Sequence, residues 1–198
     1  MPANLDSFSS SRWRLSGCGL SALALMLVAC GGTQSSSKTA ASRGTAGERG
    51  EEGRIAMRDD CDPTDPAWGP TGGCKLEEGD VNFREFNALL FSPFSTSTIG
   101  HPAWRAEPSY LKVEVGETVV VKNTGGRIHT FTEVAQFGGG RVPPLNGTMV
   151  PAPECAAAKD LPAGATQNVK GLSAGNHRFQ CCIHPWMRAL VKVKAEDD

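Results

Sequence analysis

Near the C-terminus, Cys181, His184 and Met187 follow one another at three-residue intervals in the stretch Cys181-Cys182-Ile183-His184-Pro185-Trp186-Met187. A thiolate, an imidazole and a thioether make a soft, mixed sulfur and nitrogen donor set, which suits copper far better than magnesium or calcium. One further imidazole would complete a plane of two His and one Cys with a weak axial Met. His129 is the obvious supplier: it lies 52 residues before Cys181 and opens the run His129-Thr130-Phe131-Thr132, after a strand-like segment and a Gly-Gly turn. A chain that brings these donors together must fold two distant segments onto one end of a rigid scaffold.

The run His177-Arg178-Phe179-Gln180-Cys181-Cys182-Ile183-His184-Pro185-Trp186-Met187-Arg188 resembles the copper loop of the cupredoxins, in particular amicyanin-like and plastocyanin-like members with a short loop. The resemblance spans roughly residues 107–194, and the loop motif is its specific part. It implies an all-β, cupredoxin-like Greek-key β-sandwich holding one type 1 copper ion through His129, Cys181, His184 and Met187. It also implies a carrier of single electrons rather than an enzyme. In such proteins the loop His is the ligand nearest the surface, so His184, with Pro185 and Trp186 beside it, would form a small apolar patch where redox protein partners dock.

Two positions depart from the family pattern. Ala189 stands where Gly is common, and Cys182 directly follows the expected ligand. Successive side chains of an extended segment point to opposite faces, so Phe179 and Cys181 share one face and Cys182 points away from it. Cys181 is therefore the expected ligand, and Cys182 is free for a disulfide.

The N-terminus reads as an export signal. Arg12 and Arg14 precede an apolar run from Leu20 to Ala29, too short to span a bilayer as a stable helix. Leu27-Val28-Ala29-Cys30 resembles a bacterial lipobox, which makes Cys30 the expected lipidated N-terminus of an exported chain. Such a chain would be tethered to a membrane and face the periplasm or the cell exterior. Losing residues 1–29 removes two of the 20 basic and one of the 21 acidic side chains, moving the net charge from −1 to −2. Near-neutrality of this kind offers no electrostatic case for nucleic acid as a partner.

Of seven cysteines, Cys18 leaves with the signal, Cys30 takes the lipid and Cys181 is assigned to metal. Cys61, Cys74, Cys155 and Cys182 remain, an even number that an oxidising compartment would pair. Three connectivities are open; the preferred one joins Cys61 to Cys74 and Cys155 to Cys182.

Residues 30–58 are polar and Gly/Ser-rich and read as a flexible tether. Residues 59–106 read as a disulfide-stapled loop and a short helix packed on the domain, with residues 107–198 as the sandwich itself. Within the loop, Asp59, Asp60, Asp62 and Asp65 lack calcium-loop spacing and read as solvated carboxylates. The helix begins near Asp80 as N-cap, repeats Phe83, Phe86, Leu89 and Leu90 at helical spacing, and should pack on the side or base of the domain. His101 lies outside any ligand spacing and reads as a surface or packed residue.

Leu111, Val113 and Val115 alternate with Lys112 and Glu114, and a Gly116-Glu117 turn leads to a second strand over 118–121. A strand or extended arm over 127–134 presents His129. Residues 135–165, with three consecutive glycines and five prolines, read as a long insertion clipped to the copper end through Cys155. Met149 within it has no supporting spacing as a ligand. His177 lies ~13 Å from Cys181 along an extended strand and reads as structural.

Other readings use the same residues. A copper storage or delivery protein would differ in exchange rate and partner, while a metal-free interaction domain would bind no copper at all. A zinc site would make little use of Met187. A dinuclear copper centre would need two bridging thiolates, and adjacent Cys181 and Cys182 point apart. A monomer is expected.

Overall fold

The computed structural model describes residues 53–92 and 100–195. The export signal, Cys30 and residues 30–52 of the tether lie outside the described residues. Among the described residues, eight strands make up two four-stranded sheets: β1 (Arg54–Arg58), β2 (Arg105–Glu107), β3 (Tyr110–Glu114), β4 (Val119–Asn123), β5 (Thr132–Val134), β6 (Thr166–Val169), β7 (Gly175–Gln180) and β8 (Arg188–Lys194). One sheet has the order β2-β1-β4-β6 and the other β3-β8-β7-β5. This is the all-β, two-sheet sandwich that the cupredoxin resemblance implies, with one short α-helix among the described residues, α1 (Phe83–Leu90).

Period-two alternation builds the core. Leu111 and Val113 of β3 are buried while Lys112 and Glu114 are exposed, and Ala189, Val191 and Val193 of β8 repeat the pattern. Ile55 and Met57 of β1 and Val119 and Val121 of β4 join the same buried cluster from the other sheet. Phe131 and Phe179 stack within it at 4.4 Å between ring centroids. Burial of side chains this size contributes ~1.5–3 kcal/mol each.

Several elements differ from the sequence expectation. Residues 54–58 lie in the sandwich rather than the tether: β1 pairs parallel with β4 and antiparallel with β2. Two apolar side chains in a polar stretch are a weak local signal, and the strand is defined by partners 47 or more residues away. Strands β3 and β4 are joined by a short turn but belong to different sheets, so the turn crosses the sandwich. The arm carrying His129 is irregular up to Thr132, where β5 begins.

Helix α1 is capped by Asn82 rather than Asp80: its side chain accepts from the Glu85 N–H at 2.9 Å. The helix covers the end of the sandwich carrying the Cys181–Met187 loop, not a side or base, because Phe86 finds its apolar partners in Trp68, Trp104 and Trp186 there.

Both preferred disulfides are present, Cys61–Cys74 and Cys155–Cys182. The second pins the 135–165 insertion to the Cys181–Met187 loop. A further tie is the Arg141 N–H donating to the Cys182 carbonyl at 2.7 Å, while the Ala152 N–H donates to the Gly139 carbonyl at 2.9 Å within the insertion.

Candidate metal centre

Strand β4 ends on Asn123, whose side chain is fully buried. Its amide nitrogen donates to the carbonyls of Arg127 and Leu161 at 2.7 and 2.8 Å, and its Oδ1 accepts from the Gly125 N–H at 2.9 Å. These bonds tie the 124–128 turn into one shape. His129 follows directly, its backbone paired with Leu161 in both directions at 3.1 and 2.8 Å.

From the other sheet, β7 delivers Cys181 at its end. The sulfur accepts from the Thr130 N–H at 3.3 Å and the His184 N–H at 3.4 Å. The loop closes on itself, since the Met187 N–H donates to the His184 carbonyl and the Cys181 N–H to the Met187 carbonyl, each at 2.9 Å. Thr130 Oγ1 accepts from the Cys182 N–H at 2.7 Å, which locks the two ligand-bearing segments together.

The result is a tight triangle of donors. His129 Nδ1 and His184 Nδ1 are 3.3 Å apart, and Cys181 Sγ lies 3.9 Å from the first and 3.7 Å from the second. Three donors each about 2.0–2.3 Å from a shared ion in a trigonal plane would sit roughly 3.5–4 Å apart. The donors present fit a metal ion. All three residues are buried, with His129 at 0% and His184 at 6% exposure. Met187 is 1% exposed on the same loop, and Cys181 is a free thiol.

Electrostatics favour a thiolate. Burial pushes the Cys181 thiol up, but hydrogen bonding and charge interaction with His129 and His184 outweigh it and hold the thiol well below its usual range. Burial lowers the basicity of His184. Burial pulls in the same direction on His129, yet bonds to Asp59 and Cys181 raise it to about 9.

Asp59 is the residue that sequence reasoning misplaced. Far from being a solvated loop carboxylate, it is 2% exposed and its Oδ2 lies 2.7 Å from His129 Nε2. Burial raises its pKa, while the His129 bond and charge and the backbone N–H groups of Arg127 and Gly126 more than compensate, leaving it below the usual carboxylate value. A signal was available for both Asp59 and Asn123. Counted in twos, Asp59 continues the buried positions Ile55 and Met57, and Asn123 continues Val119 and Val121, so each is a polar residue on a core-facing register.

The other candidates lie elsewhere. His101 is packed at 5% exposure, its Nδ1 accepting from the Ala103 N–H at 3.3 Å. His177 pairs with Glu133 at 2.6 Å and bonds the Ser173 carbonyl at 2.8 Å. The Met149 sulfur takes a contact from the Arg188 guanidinium at 3.2 Å.

The loop imidazole is not at the surface. Trp186 is 8% exposed and Pro185 is also buried. Phe86 and Trp104 each lie 6.4 Å from the His184 ring, Trp186 lies 5.5 Å from it, and Gly100 sits so close to the Trp186 indole that a Cβ there would run into the ring. The helix and the segment around His101 thus form an aromatic cap over the centre.

No protein family model and no curated protein matches the chain. Among solved structures, it is similar to a purple cupredoxin from Nitrosopumilus maritimus, with 17% identity, a TM-score of 0.39, and coverage of 72% of this chain and 100% of that one. It is also similar to a reduced amicyanin variant, with 25% identity, a TM-score of 0.31, and coverage of 44% and 71%. A second reduced amicyanin variant gives 24% identity, a TM-score of 0.33, and coverage of 46% and 73%. TM-scores this low carry no weight in assigning a function.

Proposed function

We propose that the chain is a copper protein that carries single electrons outside the cytoplasm, with one type 1 ion that His129 Nδ1, Cys181 Sγ, His184 Nδ1 and the Met187 thioether would hold. The observation that carries the reading is the convergence of two imidazole nitrogens and one buried sulfur, all within 4.8 Å of one another. Two imidazoles, a thiolate and a thioether are the donor set of blue-copper electron-transfer sites. A copper ion there would supply a one-electron couple.

The chain's own residues do the rest. Thr130 and His184 direct backbone N–H groups at the sulfur, which disperses thiolate charge. The aromatic cap excludes water. Because Thr130, Cys182, Leu161 and Asn123 bind the two ligand segments into the sandwich, the donors are fixed by the fold, and little rearrangement should accompany a change of charge at the ion.

Export and a lipid anchor at Cys30 belong to the same reading. They are supported by the Leu27-Val28-Ala29-Cys30 pattern and by two disulfides, which an oxidising compartment permits. Redox protein partners would approach the centre over the cap that covers His184 and Trp186. A carrier is favoured over an enzyme because His101 and His177 are each engaged away from the centre.

Reconstitution with copper(II), followed by visible and paramagnetic-resonance spectroscopy, tests the reading. Intense absorption near the middle of the visible range, lost in Cys181→Ser, is expected. A colourless protein, or one whose copper is stripped at once by a weak chelator, would overturn it in favour of an interaction domain or a delivery protein.

A further inference from the structure

Where β1 ends, its parallel pairing sets Met57 beside Asn123, and Asp59 falls two residues later, against the turn that leads to His129. Its carboxylate gathers four partners. Oδ2 lies 2.7 Å from His129 Nε2 and accepts from the Arg127 N–H at 3.0 Å; Oδ1 accepts from the Gly126 N–H at 2.9 Å and the Cys61 N–H at 3.4 Å. The side chain has no exposed surface at all. The surrounding chain is shaped to admit it: a Cβ at Gly125 would collide with the carboxylate, and one at Gly126 with the Cys61–Cys74 disulfide. The nearby Arg127 guanidinium bonds instead to the carbonyls of Gly73 and Thr71 and lies over the Trp68 ring.

We infer that Asp59 is a positioning residue of the centre, whose carboxylate holds His129 with its proton on Nε2 and Nδ1 turned to Cys181 and His184, and whose buried charge favours the more highly charged oxidation state of the bound ion. The inference rests on the copper reading. A carboxylate behind a ligating imidazole selects its tautomer and orientation and raises its basicity as a ligand. The charge effect follows by counting. Asp59 and the Cys181 thiolate together carry two negative charges, which a dipositive ion balances and a monopositive ion leaves one short. An unbalanced charge in a dry interior is disfavoured, so reduction is opposed relative to the same site with a neutral residue at this position.

The test is the reduction potential of the copper-loaded wild type, Asp59→Asn and Asp59→Glu. Asp59→Asn keeps an acceptor for His129 Nε2 and removes the charge. It should retain the visible band while shifting the ratio of copper(I) to copper(II) affinity at least tenfold toward copper(I), a rise of about 59 mV for a one-electron couple. Asp59→Glu, which restores the charge, should recover most of that shift. A normal visible band in wild type with an unchanged or lowered potential in Asp59→Asn overturns this inference and leaves the copper reading standing. Failure of wild type to bind copper overturns both. Should Asp59→Asn fail to fold, proton and nitrogen resonance of the reduced wild type still decides. The expected signal is a slowly exchanging proton on His129 Nε2, and a proton there that exchanges rapidly overturns the inference while leaving the copper reading standing.

Discussion

Cys181 and Cys182 are neighbours in the chain, yet their sulfurs serve opposite sides of the same strand end. Cys181 Sγ faces His129 and His184, while Cys182 is bonded to Cys155 in a separate small buried cluster with Val134 and Ala152. Substituting each should therefore have different consequences. Cys181→Ser should abolish the visible copper band with the fold intact. The double change Cys155→Ser and Cys182→Ser should keep the band and lower stability by roughly 3–4 kcal/mol, the chain-entropy value for a crosslink of this span. Absorption spectra and urea unfolding of the two variants check this.

Asn123 gives a second prediction. Its side chain makes three buried hydrogen bonds that shape the turn before His129. Asn123→Ala would leave the Arg127 carbonyl unpartnered and take one of two partners from the Leu161 carbonyl, which keeps the His129 N–H, and from the Gly125 N–H, which keeps the Met57 carbonyl. At about 1–3 kcal/mol for the unsatisfied carbonyl and about 0.5–1.5 kcal/mol for each of the two other bonds lost, a loss of roughly 2–5 kcal/mol is expected. Copper affinity should fall as well, because His129 is held through the same turn. Unfolding by urea measures the first, and competition with a chelator the second.

The sequence makes plain what is encoded locally. Cys181, His184 and Met187 are read from a spacing within seven residues, β3 from alternation within five, and β4 from the segment that follows the Gly116-Glu117 turn. Removing the cysteines assigned to other roles leaves the four that form disulfides, and their pairing is the preferred one of three open connectivities. Legibility fails where an element is defined by remote partners. β1 reads as polar tether until β2 and β4 are placed on either side of it, and Asp59 reads as a loop carboxylate until His129, 70 residues on, is brought to it. Likewise the pattern of Phe83 and Phe86 announces a helix but not which surface it covers. The depth of His184 could not be foreseen either, since the loop is buried by a helix about a hundred residues earlier in the chain.

That cap supplies a third prediction. Phe86 touches Trp68, Trp104, His101, Trp186 and the His184 ring. Phe86→Ala should cost about 3–5 kcal/mol, the usual range for such a truncation. By opening a path to His184, it should also speed oxidation of the reduced copper protein by a small hydrophilic oxidant. Stopped-flow absorbance reads the rate, and Phe86→Leu should lie between the two. An unchanged rate in both variants would show that the cap does not limit access.

Away from the centre, the His177–Glu133 pair joins β7 to β5 and predicts a specific pH dependence. The hydrogen bond from His177 to Glu133 raises the imidazole pKa above its ordinary 6.5, with burial opposing and the Ser173 carbonyl assisting. The folded protein therefore binds this proton more tightly than the unfolded chain does. The pair's contribution is present in full below pH 6.5 and is lost as pH rises through the higher folded value. Glu133 is 50% exposed, so solvent screening should keep the effect under about 1 kcal/mol. His177→Gln retains a hydrogen-bonding side chain without the charge. The stability difference between wild type and His177→Gln, from urea unfolding across a pH series, should be largest near pH 6 and shrink toward alkaline pH. Taking the difference cancels titration of groups common to both proteins, including those at the metal centre, so a flat difference would remove the ionic component from this contact.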